Sequence, residues 1–348
     1  EPYKKTIWDN HKININHMPI ISVIIPVYNV GKYIENSMKS VIAQRFADFE
    51  VILVDNNTPD DSIEIAEKVL AGTNINYRVV KQTIQGLPAA RNKGIEKAKG
   101  EWIISIDPDD TISSFFLQEL YRYATDNNLP VVFGEYDEVT EENLFIFPEE
   151  NKEGAFELLD REYTMENLLT RRLPLMVSNM FFKKSFFVEH QFQFDQEVIL
   201  GADLMLVWRI LLNLEKIGYL NKKLYNHFFR SDSLITAPSS RKIETNLAGY
   251  RRTCEYVSQH YSKKFSEWIY ARELYGLLSV VSIHGEYKML KKNLALYYNK
   301  DIHRSLQSFF DKRINIMDNI LYYCPPLFFI INKLLRQPNS MLSKMLHK

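Results

Sequence analysis

Four short apolar runs in the first third of the chain constrain its fold more than any other feature. They occupy residues 20–26, 50–55, 77–80 and 101–106. Each is too short for a typical helix, is rich in β-branched residues and is separated from the next by a segment with helical periodicity. Strands that alternate with helices over short links are typical of a right-handed parallel sheet with helices on both faces. The sequence therefore predicts an α/β fold.

Carboxylates stand where two of these predicted strands end. The second run ends at Asp55, and the fourth is followed by Asp107, Asp109 and Asp110. The C-terminal ends of parallel strands face the ligand crevice of an open α/β sheet, so these side chains should share one edge. Carboxylates held so close repel one another unless a cation lies between them, and Mg²⁺ or Mn²⁺ carrying a phosphate is the obvious candidate. The alternative is a polar turn in which Asp110 or Thr111 caps the next helix.

The turn after the first run lacks the usual nucleotide-binding glycines. No Gly-x-Gly-x-x-Gly turn follows residues 20–26, and the sequence has no Walker A lysine motif. A sheet edge tipped with carboxylates suits instead a nucleotide whose phosphates are held through a metal ion.

Four motifs in order make the interpretation specific. They are Ser-Val-Ile-Ile-Pro-Val-Tyr-Asn at 22–29, Val-Asp at 54–55, Gly-Leu-Pro-Ala-Ala-Arg-Asn-Lys-Gly-Ile at 86–95 and Asp-Pro-Asp-Asp at 107–110. Together they resemble the family 2 glycosyltransferases, which have the GT-A fold, a Rossmann-like, mostly parallel sheet with flanking helices. One motif departs from the family: where it usually has Asp-Asp-Gly-Ser, this chain has Asp-Asn-Asn-Thr from Asp55 onward.

The resemblance implies that the first two motifs bind the nucleotide base. Pro26, Tyr28, Asn29 and Asp55 would frame it. The chemistry fits uracil, because a carboxylate can accept a hydrogen bond from its imide N–H, a donor that cytosine lacks. The asparagines that follow Asp55 leave the remaining base contacts open.

The resemblance also implies roles around the diphosphate. Arg91 would neutralise its charge, although the residue type alone also fits a surface ion pair on a helix. Asp107 would reach the ribose or the metal-bound phosphates. Asp109 would ligate the metal ion, and Asp110 would be either a second ligand or an orienting residue.

Two later segments extend the resemblance. A predicted helix over 198–210 has Asp203 in its first turn, where the helix dipole alone favours a carboxylate. The family usually has Glu-Asp here, with the Asp as catalytic base; Ala202 replaces the Glu, and the resemblance implies that Asp203 is the base. A later aromatic strand and Ser-rich loop offer Arg230 for the diphosphate. His227 in that strand is either a metal ligand, as in some GT-A enzymes, or a plain strand histidine.

Composition and pattern divide the chain near residue 240. Residues 241–348 carry 18 Lys and Arg against 8 Asp and Glu, and the preceding residues carry 25 against 35, so the two parts have formal net charges of +10 and −10. We expect a leader or linker at 1–18, a GT-A catalytic domain at 19–236 and a smaller α-helical C-terminal domain at 240–348. The charged segment 149–163 is expected to be a surface excursion near the acceptor site.

The basic tail and one apolar segment raise the question of a surface partner. The uncharged run 319–332 is rich in aromatic residues and contains Pro325 and Pro326. Fourteen residues cannot span a bilayer, which needs about 20. The run either packs in a core or against a second copy of the chain, or lies at a membrane interface beside lysines and arginines. The charge of the tail fits an anionic surface or a solvated basic face equally well.

Together these features predict a metal-dependent inverting glycosyltransferase. It would move a sugar from a UDP-sugar to a hydroxyl of a saccharide or lipid-linked saccharide acceptor, with Mn²⁺ or Mg²⁺ as cofactor and no nucleic-acid partner. Two cysteines and no visible signal peptide favour a cytoplasmic location, at the inner face of the cell membrane if the tail binds lipid. The alternatives are a sugar nucleotidyltransferase, whose Gly-rich loop with Arg and Lys is missing at 26–31, and a catalytically silent carbohydrate- or nucleotide-binding module.

Overall fold

The structure, a computed structural model, describes residues 18–140, 143–145, 154–228 and 238–335. Nine strands in this part of the chain form one mixed sheet. They are β1 (Ile21–Val27), β2 (Phe49–Asp55), β3 (Asn76–Lys81), β4 (Trp102–Ser105), β5 (Thr111–Ile112), β6 (Val131–Val139), β7 (Ala155–Asp160), β8 (Met180–Lys183) and β9 (Lys216–Phe228). Their order across the sheet is β3-β2-β1-β4-β8-β6-β9-β5, with β7 paired to β9.

The predicted α/β class is confirmed by the first half of the sheet. Strands β3, β2, β1 and β4 are parallel neighbours, so their C-terminal ends share one edge. The helices that connect them are α1 (Ile34–Ile42), α2 (Ser62–Leu70) and α3 (Leu87–Lys97). Further along come α4 (Phe116–Asp126), α5 (Arg161–Leu169), a 3₁₀ helix (Val177–Asn179), α6 (Lys184–Glu189) and α7 (Ala202–Leu212).

Both faces of the parallel strands are buried, which explains their continuous apolar sequences. Alternate residues point to opposite faces, so Val23 and Ile25 join one core with α1, α2 and α4. Ile24 joins a second core that includes side chains of α3, α5, α6 and α7. The sheet is thus the middle layer of a three-layer structure, and its open edge at the strand C-termini is left for a ligand.

One part of the expected surface excursion is a strand instead. Residues 155–160 form β7, which pairs antiparallel along β9 from Ala155 with Asn221 to Asp160 with Lys216. The strand lies at an edge of the sheet and buries little besides Leu159, which is why its sequence shows no strong apolar pattern. The preceding residues, 149–153, lie outside the described residues.

The C-terminal region is helical, as predicted. It contains α8 (Ser240–His260), α9 (Lys263–His284), α10 (Tyr287–Tyr297), α11 (Lys300–Phe309), α12 (Lys312–Tyr323) and α13 (Pro325–Leu335). These helices have a core of their own, but α8 and α9 also share a core with α7. The two parts of the chain on either side of residue 240 therefore pack extensively against each other. We keep their division into two domains as a proposal. Among the described helices, none is long and apolar enough to cross a membrane.

Candidate active site

The residues expected to frame a nucleotide base lie together at the open edge of the sheet. Pro26 is buried near the end of β1, and Asp55 ends β2 opposite Val27 in the parallel register. Tyr28 and Asn29 follow β1 directly and are exposed. An aromatic ring, an amide and a carboxylate therefore line one exposed corner, where a planar base can be held by stacking and hydrogen bonds.

Hydrogen bonds between the turns after β1 and β2 fix this corner. The backbone N–H of Asn29 donates to Oγ1 of Thr58 at 2.9 Å, and that of Gly31 donates to a carboxylate oxygen of Asp60 at 2.8 Å. The backbone N–H of Thr58 donates to Asp55 Oδ1 at 3.1 Å, which orients the Asp55 carboxylate. These hydrogen bonds between the two turns fix the positions of Asn29 and Asp55 without a bound ligand.

The two asparagines that depart from the family pattern have a structural role. The Asn56 side chain donates to the backbone oxygens of Gln82 and Ile84 at 3.1 and 2.7 Å and accepts from the N–H of Gly86 at 2.8 Å. Asn57 donates to the backbone oxygen of Thr83 at 3.0 Å. Both side chains thus fasten the loop between β3 and α3 to the end of β2.

Arg91 is the centre of an ion-paired trio. Its guanidinium is 1% exposed and contacts Asp107 at 2.7 Å through Nη2, Asp203 through Nη1 and the Ser105 hydroxyl at 3.3 Å through Nε. The alternative interpretation of Arg91, a surface ion pair on a helix, is therefore wrong, because the guanidinium is buried. Burial lowers the pKa of Arg91, but Asp203 and Asp107 raise it above its ordinary value, so Arg91 stays charged. One cation between two carboxylates leaves the trio with a net negative charge.

Asp203, one of the two carboxylates of this trio, lies in the first turn of α7, as predicted. Its side chain is 39% exposed, so a substrate can reach it. The surrounding protein nevertheless desolvates the carboxylate and raises its pKa, and Arg91 opposes that rise. A carboxylate with a raised pKa is a stronger base, and the cation beside it favours the ionised form that can take a proton.

Asp110 is buried and fully engaged. Its oxygens accept hydrogen bonds from the Phe228 backbone N–H at 2.7 Å and from the Tyr225 hydroxyl, and Oδ2 lies 3.4 Å from Nδ1 of His227. Burial raises the pKa of Asp110, and its hydrogen bond to His227 raises the pKa of that imidazole to about 9. Asp109, one residue earlier, is only partly buried. The sequence left open whether Asp110 is a metal ligand or an orienting residue. Its buried contacts favour the second role, with Asp110 holding the His227 side chain in place.

Two further residues in the sequence motifs hold the site together, and the sequence did not predict their roles. Asn92, next to Arg91, exchanges two hydrogen bonds with the backbone of Phe194 at 2.8 and 2.9 Å and so anchors the segment that leads to Asp203. Tyr225 reaches Asp110 across the sheet, and its hydroxyl accepts from the Asp107 N–H at 3.4 Å. Arg230, the predicted diphosphate ligand, lies outside the described residues.

Comparisons with known proteins agree with this architecture. Residues 22–190 match the sequence model of the family described as glycosyl transferase family 2. The glycosyltransferase GlyG of Streptococcus pneumoniae is 28% identical over 316 residues, which cover 84% of this chain and 96% of GlyG. Residues 1–349 of TarS from S. aureus, solved with UDP-GlcNAc, superpose with a TM-score of 0.60 at 19% identity over 90% of this chain and 89% of that one. The mannosyltransferase PcManGT of Pyrobaculum calidifontis, solved with GDP-Man and Mn²⁺, gives 0.51 at 15% identity over 96% and 92%.

Proposed function

The chain carries a family 2 glycosyltransferase domain, and we propose that it transfers a sugar from a UDP-sugar to a hydroxyl of a saccharide acceptor, with inversion, in glycan or polysaccharide synthesis. The observation that carries the proposal is the trio of Asp107, Arg91 and Asp203, which joins the donor edge of the sheet to a partly exposed carboxylate. The UDP-GlcNAc bound by TarS, which shares the fold, supports a UDP-sugar as donor.

The base corner would select the nucleotide. Asp55 would accept a hydrogen bond from the imide N–H of uracil, while Pro26, Tyr28 and Asn29 would surround the ring. Guanine also carries a ring N–H donor, at N1, so a GDP-sugar is the nearest competing donor. Asp107 would reach the ribose or the phosphates from the neighbouring strand end, since Ile106 N–H bonds to β1 at Ile24.

The reaction would be a single displacement. Asp203 would take the proton of the acceptor hydroxyl, whose oxygen would form the new bond to the anomeric carbon as the bond to the diphosphate breaks. The leaving diphosphate gathers negative charge, which nearby cations must stabilise. Because the trio around Arg91 is itself net negative, further positive charge is needed, and Arg230 and a metal ion would provide it.

Asp109 and His227 would hold a divalent metal, with His227 giving up the proton that Asp110 favours when the metal binds. The carboxylate of Asp110 lies behind Nδ1 of His227, the arrangement in which a carboxylate orients a histidine toward a metal through its other nitrogen. Among the described residues no group of three His, Cys, Asp or Glu side chains forms a complete metal site, so substrate phosphate would supply the remaining ligands. Bound there, Mn²⁺ or Mg²⁺ would neutralise the diphosphate.

The metal proposal predicts that Asp109→Ala abolishes metal-dependent UDP binding but leaves the fold intact, because removing one carboxylate relieves repulsion at this turn. Titration calorimetry of UDP with and without Mn²⁺ measures this. Asp126→Ala, at the exposed end of α4, is the control and should bind as wild type. Undiminished metal-dependent binding in Asp109→Ala would move the ligand role to Asp110 or Asp107.

A donor panel tests the function as a whole. The protein is incubated with UDP-, GDP- and CMP-sugars, each with and without saccharide and lipid-linked acceptors, and products are identified by mass spectrometry. We expect acceptor-dependent release of UDP and a new glycosidic product. A parallel incubation with UTP and a sugar 1-phosphate tests the nucleotidyltransferase alternative, because that enzyme would form a nucleotide sugar and release pyrophosphate. Binding of a nucleotide sugar without any product would indicate a silent module.

The C-terminal helices supply a candidate membrane contact. Leu321 and Phe328 of the apolar run are buried in the helical core, so part of the run packs as the core interpretation predicts. Four exposed apolar side chains lie within and just beyond the run, and we call them the apolar stripe: Tyr323 at the end of α12, and Leu327, Ile330 and Leu334 on α13. We propose that this apolar stripe and basic residues of the C-terminal region contact an anionic membrane and present a lipid-linked acceptor.

Sedimentation with anionic liposomes tests the membrane proposal. Ile330→Glu, at a position 53% exposed, should weaken pelleting because it places a negative charge in the apolar stripe. The control is Val188→Glu on α6, where the side chain is 59% exposed and lies in the catalytic region. Equal pelleting of the two variants, or the absence of any pelleting by wild type, would leave the apolar stripe as a packing surface.

A further inference from the structure

The turn that precedes Asp203 is seated directly on helix α8. Gly201 has φ = +80°, a left-handed conformation that ends the preceding loop and begins α7. A Cβ atom at Gly201 would lie 2.9 Å from Nδ2 of Asn246 and 3.5 Å from the hydroxyl of Tyr250. No side chain separates the turn from α8, so a shift of α8 moves the start of α7.

Asn246 makes the direct bond. Its Nδ2 donates to the backbone oxygen of Leu200 at 2.6 Å, and the side chain is only 4% exposed. Its Oδ1 is buried without a hydrogen-bond partner among the described residues. A buried amide oxygen without a hydrogen-bond partner lowers the stability of the fold. This cost favours a positional role for the bond from Asn246 to Leu200 over a purely stabilising one.

Two further contacts lie along the same stretch of α8. A Cβ at Gly249 would lie 2.5 Å from Cγ2 of Val198 and 2.6 Å from Sδ of Met205, so only glycine allows this approach. Arg252 pairs with Asp195 through Nε at 3.0 Å. The segment 194–201 is thus held along its length by α8 and, at Phe194, by Asn92 of α3.

Helix α8 is itself anchored in the helical region. Burial and the nearby carboxylate of Glu273 on α9 raise the pKa of Tyr250, and Glu273 pairs with Arg171, just after α5, at 2.7 Å. The surface that holds the turn is therefore braced from both parts of the chain. Displacement of the turn would break the bond from Asn246 to Leu200 and the close packing at Gly201 and Gly249.

We propose that Asn246 is a positioning residue: its bond to the Leu200 carbonyl sets the start of α7 so that Asp203 faces Arg91 and the incoming acceptor hydroxyl. The inference rests on the proposed role of Asp203 and extends it, because it makes the C-terminal helices part of the acceptor-activating machinery. Asp203 lies only three residues beyond the bonded carbonyl, so a small rotation of this turn changes the direction of its carboxylate. Misplacement of a reacting group by about 1 Å can cost about 100-fold in rate.

The test compares Asn246→Leu with Asn293→Leu. Asn293 is also 4% exposed and donates to a backbone oxygen, Met289 at 2.8 Å, but it lies on α10. Both variants lose one buried amide and its hydrogen bond. We expect Asn246→Leu to lower kcat by about 10- to 100-fold with unchanged UDP affinity and donor KM. Asn293→Leu should keep kcat within about twofold of wild type.

Two readouts separate positioning from stability. Displacement of Asp203 would change both its burial and its contact with Arg91, which set its pKa, so the acid limb of kcat should move in Asn246→Leu and stay in place in Asn293→Leu. Asn246→Gln, which keeps the amide donor, should recover part of kcat. Equal kcat and equal pH profiles in the two leucine variants would overturn the proposal.

Its failure can be told apart from failure of the proposed base. If Asp203→Asn retains full transfer, the role of Asp203 is wrong whatever Asn246 does. If Asp203→Asn is inactive and Asn246→Leu behaves as Asn293→Leu, only the positioning role falls. If Asn246→Leu does not fold, Asn246→Ser replaces it. Serine is small and polar but too short to reach the Leu200 carbonyl. Unchanged kcat in Asn246→Ser would overturn the proposal equally.

Discussion

Asp203→Asn should lower acceptor-dependent transfer by at least about 100-fold, the loss typical for removal of a general base. Asparagine has the size of aspartate and can still accept a hydrogen bond from Arg91, but it cannot take the acceptor proton at working pH. UDP affinity should stay near wild type, since Asp203 contacts Arg91 and lies away from the base corner at Asp55. Initial rates of UDP release and calorimetry of UDP measure the two quantities.

A matched control makes this loss interpretable. Asp137→Asn removes a carboxylate that is 49% exposed and ion-paired to Lys223, and it should leave transfer unchanged. Loss of UDP affinity in Asp203→Asn would recast Asp203 as a donor-site residue. Full transfer would remove it from the mechanism. The remaining candidates for the base would be a carboxylate of 149–163 or Asp232, which lies in the Ser-rich loop with Arg230.

Arg91→Met should produce the second large effect, in both rate and pH dependence. Burial raises the pKa of Asp203 and Arg91 opposes that rise, so its removal raises the pKa further. The base works only when ionised, and activity is therefore lost as pH falls through that pKa. The acid limb of kcat in Arg91→Met should lie at higher pH than in wild type, with a lower rate at neutral pH. A profile of kcat against pH measures the shift.

The same substitution should also destabilise the fold. Removing one partner of a fully buried ion pair costs about 3–5 kcal/mol. Asp107 and Asp203 are partly exposed, at 24% and 39%, so water screens their repulsion and we expect about 2 kcal/mol. Arg78→Met, which breaks the ion pair to buried Glu50 on β2, is the control. It should lower stability but leave the acid limb in place; an unshifted limb in Arg91→Met would contradict the account of Asp203.

Local periodicity was enough to predict the parallel half of the sheet. Strands β1, β2 and β4 are buried on both faces, so their sequences are continuously apolar and end at recognisable turns. Strand β7 was not predicted because it lies at an edge of the sheet and its sequence has no apolar pattern. It forms by pairing with β9, a partner that the local sequence does not indicate. The predicted helix over 198–210 begins later, at Ala202, because Gly201 adopts a left-handed conformation.

The sequence could indicate candidate site residues one by one, but it could not indicate the contacts between them. The motifs placed Asp55, Asp107 and Asp203 at strand and helix ends, where the structure has them. Arg91 and Asp203 are 112 residues apart, and no local pattern indicates that they meet. The orienting contacts of Asp110 could not be predicted either, because they come from the far end of β9.

The central claim is that an acceptor hydroxyl, deprotonated by Asp203, displaces UDP from the anomeric carbon in one step. The most direct measurement is the anomeric configuration of the product formed from an α-linked UDP-sugar, read from the coupling constant of its anomeric proton by NMR. The account predicts a β-linked product, with one UDP released for each new linkage. An α-linked product would contradict it, because retention of configuration cannot arise from a single displacement by a base-activated hydroxyl.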